Sequence, residues 1–288
     1  MNCKGPVPDL IFNIEQKENY IMIRIIVIGA AGRMGRHLVA CIAASNDLQL
    51  TGATEYSGSE FLNIDAGSVA GVQPLGVKIT SELLPLLDNA DAVIDFSTGD
   101  VVGNAKLAAA KGLAIVIGTT ALTADDKAEL RKLAAAGARI VQTTNFSVGV
   151  NLLFHLTRIA TQTLSDGFDI EIIEAHHNKK KDSPSGTAVS LAEVVTDVKG
   201  WDYEKDVRHG RQGMVGARTQ HEIGMHSIRG GDIVGDHTVL FAADGERIEL
   251  THKASSRNTF AKGALRAARF LIHAGPGMYD MLDVLGFK

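Results

Sequence analysis

The run Ile23-Arg-Ile-Ile-Val-Ile28 is β-branched and stops at Gly29-Ala30-Ala31-Gly32-Arg33-Met34-Gly35, after which Leu38, Val39 and Ile42 recur at helical spacing. A buried strand, a glycine-rich turn and a helix in that order restrict the fold more than any other feature of the chain. Glycines in such a turn permit a sharp reversal, close approach of the backbone to a pyrophosphate, and tight packing of helix on strand. An anion there meets free backbone N–H groups and the positive end of the helix dipole. Glu55 closes the next apolar strand, 50–54, at 20 residues beyond Gly35. An acid in that position suits a ribose hydroxyl. The expected dinucleotide site is therefore Gly29, Ala30, Ala31, Gly32, Arg33, Met34 and Glu55.

Strand-like and helix-like segments alternate from there. Strands are expected over 91–96, 114–117 and 139–142, with alanine-rich helices over 101–111 and 124–136. Such alternation implies a parallel sheet with right-handed crossovers, the doubly wound plan. After Asn145 the pattern changes. A strand is expected over 168–175 and a helix over 187–198, then strands over 220–229, 232–242 and 246–253. Gly230-Gly231 and Asp244-Gly245 separate the last three, and such dipeptides mark hairpins. A helix over 259–274, with Phe260, Gly263, Ala264 and Ala267 on one stripe, is expected to pack back on the first half. The fold class is α/β, an N-terminal Rossmann-type doubly wound parallel sheet plus an α+β substrate domain with a mixed sheet. The expected division is 22–146, completed by 257–288, for the dinucleotide domain and 147–256 for the substrate domain. Residues 1–21, polar and holding Pro6 and Pro8, are expected to be a leader before Met22.

Composition narrows the function. A chain of 288 residues that is 45% hydrophobic and 22% charged can bury its cores without disulfide or metal staples. A net charge of −4 argues against binding nucleic acid through phosphate neutralisation, while leaving room for a local basic pocket. Cys3 and Cys41 form no CxxC, so neither a disulfide framework nor a thiolate zinc site is expected. Apolar runs fall short of the roughly 18 residues that a membrane span needs. Glu15, Lys17 and Glu18 interrupt what would be the apolar stretch of a signal peptide. A cytoplasmic protein is expected.

A second motif carries denser chemistry, Glu171-Ile-Ile-Glu174-Ala-His176-His177-Asn-Lys-Lys180-Lys-Asp182-Ser-Pro184-Ser185-Gly186-Thr187-Ala188. A strand delivers two adjacent histidines, whose rings diverge if the strand continues through them. Lys179 to Lys181 follow, and Pro184-Ser185-Gly186-Thr187 opens a helix with exposed amides. Imidazoles, ammonium groups and a helix N-terminus together describe a pocket for a carboxylate-bearing substrate with a proton donor beside it. A solvated charged loop is the plainer alternative. Zinc ligation fits poorly, because diverging histidines lack a third ligand at metal-site spacing. His221-Glu222-Ile-Gly-Met-His226 mimics a zinc-protease motif, but its histidines are five apart and its alternation is that of a strand. No metal site is expected.

These residues resemble the 4-hydroxy-tetrahydrodipicolinate reductase family, formerly dihydrodipicolinate reductase, from about Ile23 to the C-terminus. The blocks that carry the resemblance are 29–36, Asp95-Phe96-Ser97, Gly118-Thr119-Thr120, 145–151, 171–188 and 252–257. It implies a homotetramer assembled through the substrate domain, and reduction of a cyclic imine dicarboxylate to tetrahydrodipicolinate with NADH or NADPH. It further implies that Gly29–Met34 and Glu55 contact the cofactor. Gly118, Thr119 and Thr120, with Thr143, Thr144, Asn145 and Phe146, would flank the nicotinamide. His176 resembles the proton donor and Lys180 a second donor that also touches substrate. His177, Gly186 and Thr187 resemble the remaining substrate-binding set. Tyr56 departs from NADPH-tolerant members, which often carry arginine there, so NADH is expected to serve at least as well. Two other functions fit a chain of this kind: a Rossmann reductase for an aldehyde or sugar, and a catalytically silent dinucleotide-binding regulator. The intact His/Lys set argues against the second.

Overall fold

The computed structural model describes residues 22–164 and 166–288, so the leader expected at 1–21 lies outside the described residues. The first half runs β1 (Ile23–Ile28), α1 (Arg33–Ala43), β2 (Leu48–Thr54), α2 (Ala66–Ala70), β3 (Ile79–Thr80), β4 (Ala92–Asp95), α3 (Val101–Ala110), β5 (Ala114–Ile117), α4 (Ala124–Ala135) and β6 (Arg139–Gln142). The second half runs α5 (Val148–Leu164), β7 (Asp169–His176), α6 (Gly186–Lys199), α7 (Tyr203–Asp206), β8 (Val207–His209), β9 (Ile223–Arg229), β10 (Gly235–Ala243), β11 (Glu246–Ala254), α8 (Asn258–His273), β12 (Gly277–Tyr279) and α9 (Met281–Val284).

Seven strands form a parallel sheet in the order β12-β6-β5-β4-β1-β2-β3. Its inner strands are almost continuously apolar because helices cover both faces; Ile25, Ile26, Val27 and Ile94 are fully buried. Strand order reverses beside β1, between β2 and β4, and a doubly wound sheet opens its ligand crevice at that point. α1 lays Leu38, Val39 and Ile42 on the sheet, the stripe that the sequence spacing marks. α4 begins with a reciprocal cap: the Asp126 amide donates to Thr123 Oγ1 and the Thr123 amide to the Asp126 carboxylate. α8 returns to this sheet through Ala261, Ala264, Leu265, Ala268 and Leu271, as its apolar stripe predicts. Gly263 is required there, since a side chain would strike the Phe146 carbonyl.

The other sheet is mixed, in the order β11-β10-β7-β9-β8. α5 and α6 cover one face, with Ile170, Ile172, Val239 and Phe241 packed against Leu153, Leu191 and Val195. Asp244-Gly245 makes the expected hairpin, because Ala243 pairs with Glu246 across it. Gly230-Gly231 does not. β7 lies between β9 and β10, pairing parallel with the first and antiparallel with the second. The two glycines instead carry the chain over the end of β7. The Gly230 amide donates to the His176 carbonyl at 2.9 Å, and the Asn178 amide donates to the Gly231 carbonyl at 3.2 Å. Gly231 has φ +51°, a conformation that glycine adopts at no steric cost. A dipeptide that reads as a hairpin thus fixes the histidine-bearing loop.

Candidate active site

The glycine turn has the shape its sequence demands. Gly29 sits at φ +76°, its amide donates to the Thr54 carbonyl at 2.9 Å, and the Gly32 amide donates back to the Gly29 carbonyl at 3.1 Å. A Cβ on Gly35 would collide with that same carbonyl, so α1 can approach β1 only at glycine. Glu55 projects across the turn, and its Oε1 accepts from the Ala31 amide at 2.9 Å and the Gly32 amide at 3.1 Å. The expected acid is therefore at the glycine turn, and it also braces the turn.

A cleft of about 500 Å³ runs from there along the carboxyl ends of the strands, bordered by Arg33, Met34, Gly118, Thr119, Thr120, Thr144, Asn145 and Phe146. Phe96, Ser97, Thr98, Ala121, Arg257 and Phe260 complete the lining. Ser97 and Arg257 fall in blocks carrying the family resemblance, but spacing alone gives neither a role. Gly118 admits the Phe96 ring where any side chain would overlap it, and Thr119 Oγ1 donates to the Ser97 carbonyl at 2.6 Å. Thr143 stands behind the lining, with Oγ1 against the Asn145 carbonyl at 3.3 Å. A glycine-floored turn, helix N-terminal amides, two cations and an acid ending the second strand fit a dinucleotide's phosphates and ribose.

The histidine loop lies outside the lining of this cleft and connects to it through Thr187. β7 ends at His176, and the Lys180 amide donates to the His177 carbonyl at 3.1 Å. Residues 177–180 therefore form a turn rather than the extended segment that would make the histidines and lysines alternate. Sidedness survives in another form, since Lys180 is half-buried while Lys179 and Lys181 are exposed. Lys180 Nζ pairs with the Asp182 carboxylate at 2.6 Å. His177 Nδ1 is buried with no hydrogen-bond partner. Ser185 caps α6 by accepting from the Ala188 amide, and the space over Gly186 is open. Asn145 Nδ2 donates to Thr187 Oγ1 at 3.0 Å, which ties the cleft to the N-terminus of α6.

Behind the histidines lies a charged layer that local motif reading misses. Glu174 is fully buried and pairs with His176 Nδ1 at 2.6 Å and Arg229 at 2.8 Å. Burial alone would raise its pKa, but Arg229, His176 and Ser227 outweigh burial and hold it at about 2. Arg229 stands 55 residues away in sequence, so no local spacing announces it. His237, edge-on to His176 at 5.2 Å between ring centroids, is pushed down to about 4 by burial and by the neighbouring His176. In the false zinc motif, His226 bonds Glu171 at 2.7 Å whereas His221 stacks on Trp201. Among the described residues no helix is long and apolar enough to cross a membrane.

Glu171 resembles Glu174: burial opposes its ionisation, yet Arg211, His226 and Arg218 hold its carboxyl at about 2. Both folded pKa values lie below the ordinary 4.5. The stabilisation is therefore complete above about pH 4.5 and disappears as pH falls toward 2. Melting temperature is expected to drop steeply across that window, and Glu171→Gln to make the drop shallower. An identical acid slope in wild type and variant would exclude Glu171 as a source.

Known proteins match most of the chain. Residues 23–146 match the family model described as dihydrodipicolinate reductase, N-terminus, and residues 149–285 match its C-terminus counterpart. A 4-hydroxy-tetrahydrodipicolinate reductase of Syntrophotalea carbinolica is 51% identical over 268 residues, covering 93% of this chain and 100% of that protein. One from Anaeromyxobacter sp. is 48% identical, covering 93% and 99%. The solved dipicolinate-bound dihydrodipicolinate reductase from Paenisporosarcina sp. TG-14 has the same fold, with TM-score 0.73 at 24% identity, over 91% of this chain and 98% of that one. Two adjacent family models covering almost the whole described chain, and relatives near half identity, make the protein a member of the dihydrodipicolinate reductase family.

Proposed function

We propose that the chain reduces the cyclic imine dicarboxylate derived from 4-hydroxy-tetrahydrodipicolinate to tetrahydrodipicolinate, with NADH or NADPH, in lysine and diaminopimelate biosynthesis. The observation that carries this reading is the Asn145–Thr187 hydrogen bond. It joins a dinucleotide-shaped cleft to a helix N-terminus flanked by two histidines and a lysine. A reduced nicotinamide, when bound, supplies the hydride. The chain's own residues do the rest. Gly29 to Met34 and Glu55 hold phosphates and ribose, while Gly118, Thr119, Thr120 and 143–146 border the nicotinamide end.

The amides of Gly186 and Thr187, with His177, orient a substrate carboxylate, which supplies much of the positional advantage. Hydride arrival leaves negative charge on the substrate, and His176 protonates it. Imidazolium suits that task near neutral pH. Lys180, exchanging Asp182 for substrate, offsets the same charge. We further read the enzyme as a cytoplasmic homotetramer, divided into 22–146 with 257–288 and 147–256. β11 buries none of its residues and Ile228 of β9 is half exposed, which leaves one face of the mixed sheet uncovered in a single chain.

A coupled assay, with the preceding pathway enzyme generating the imine and nicotinamide oxidation followed optically, tests the reaction. Turnover of the imine with none of simple aldehydes or sugars is expected, and the reverse pattern would refute it. NADH should give a kcat/KM at least equal to that of NADPH, because Glu55 repels a 2′-phosphate and Tyr56 supplies no cation. A tenfold preference for NADPH would show that a cation such as Arg33 has taken over recognition.

A further inference from the structure

We infer that Glu174, clamped by Arg229, is a positioning residue that dictates which nitrogen of His176 delivers the proton. The inference rests on His176 being the proton donor, as proposed above. Side chains two apart on a strand share a face, so Glu174 and His176 lie together at the end of β7. One oxygen of Glu174 meets His176 Nδ1 at 2.6 Å, and the other accepts from the Ser185 amide at 3.2 Å. Arg229, opposite His176 in the β7–β9 register, donates to both oxygens at 2.8 Å. A bidentate guanidinium keeps a buried carboxylate ionised, and an ionised carboxylate can only accept. The hydrogen between Glu174 and His176 therefore belongs to Nδ1.

Neutral His176 is consequently the Nδ1–H tautomer, and Nε2 is the atom that carries the mobile proton. The imidazolium gives its Nε2 proton to the substrate carbon that became electron-rich on hydride arrival. It returns to the neutral Nδ1–H form while Glu174 stays unprotonated. The β10 side is shaped to match. A Cβ at position 235 would stand 3.1 Å from Nε2, so a side chain there would crowd that nitrogen and glycine does not. His237, on the same face, is tied through Nε2 to Ser185 Oγ at 2.8 Å, and Ser185 thus touches both supports of the histidine. Arg229 also donates to the Asp182 carbonyl at 2.8 Å, so one guanidinium anchors the carboxylate behind His176 and the loop bearing Lys180. The charged and titratable groups that these contacts bring to His176 are then Glu174, Arg229 and His237.

The test reads the ring directly. ¹⁵N resonances of the histidines, with His176 assigned by difference against His176→Gln, are expected to show the neutral ring protonated at Nδ1. In Glu174→Gln the amide N–H turns toward Nδ1, and the tautomer should switch to Nε2–H. Turnover should fall with it, by about 10²-fold in kcat, the low end for a positioned acid, while KM stays within about twofold. Gly235→Ala should keep the Nδ1–H tautomer yet lower kcat by crowding Nε2. An Nε2–H ring in the wild type overturns the inference, with no variant needed. A wild-type rate in Glu174→Gln beside a slow His176→Gln overturns only the positioning role. A wild-type rate in His176→Gln overturns the proton donor and the inference together.

Discussion

Replacing His176 by glutamine is expected to lower kcat by about 10²–10⁴-fold, the contribution of a positioned general acid. Glutamine nearly preserves the volume and can still accept or donate near Glu174, but its amide is far too weak an acid to give a proton to the substrate at neutral pH. Cofactor affinity should change little, because the glycine turn and Glu55 lie on the other sheet. Lys180→Ala should behave differently. An ammonium that touches bound dicarboxylate and also balances the charge developing on it serves ground and transition states alike, so KM should rise and kcat fall together. Lys179→Ala and Lys181→Ala are the internal controls, since both side chains are exposed while Lys180 is half-buried beside Asp182. Both should turn over at close to the wild-type rate. Equal losses from all three lysines would mean that the loop acts as a diffuse positive field, and the assignment to Lys180 would fall.

What could be read from sequence divides by range. The glycine turn, Glu55 and the Ser185–Gly186–Thr187 helix start are local, and residues a few positions apart dictate their geometry. α5 has helical spacing in Leu152, Leu153, Leu156 and Ile159 and a local cap in Ser147, whose Oγ accepts from the Val150 amide at 3.3 Å, yet sequence reading assigns it nothing. Gly230-Gly231 misleads. Hairpin chemistry reports a reversal of the chain, and β9 to β10 is a reversal, but a third strand occupies the space between them. Pairing of β7 with strands more than 45 residues later is set by burial of Ile170, Ile172 and Phe241, which no dipeptide encodes. The same distance hides Arg229. Glu174 was within reach, because an acid two residues before a histidine on a strand must share its face.

Gly35→Ala should weaken the cofactor more than any other single-methyl change in the chain. The added Cβ would occupy the space of the Gly29 carbonyl oxygen and crowd Ala30. Both are backbone, so no flexible side chain can yield; the first turn of α1 must move away from β1. That movement pulls the Gly32 amide from the Gly29 carbonyl and disturbs the Ala31 and Gly32 amides that Glu55 braces. These same amides are the ones proposed above to meet the cofactor's phosphates. Overpacking of this kind typically imposes about 1–3 kcal/mol. If the free protein relaxes by opening the turn, binding must restore the closed geometry against that strain. At about 1.4 kcal/mol per tenfold, the NADH dissociation constant should rise roughly 5-fold to 150-fold. Fluorescence titration of NADH measures it, with Gly275→Ala, whose Cβ would meet no atom within 4 Å, as the control. At saturating cofactor kcat should recover most of its wild-type value, because His176 and Lys180 are untouched. An unchanged dissociation constant in a folded Gly35→Ala protein would mean that the turn does not hold the phosphates, and the cofactor's place in the cleft would have to be reassigned.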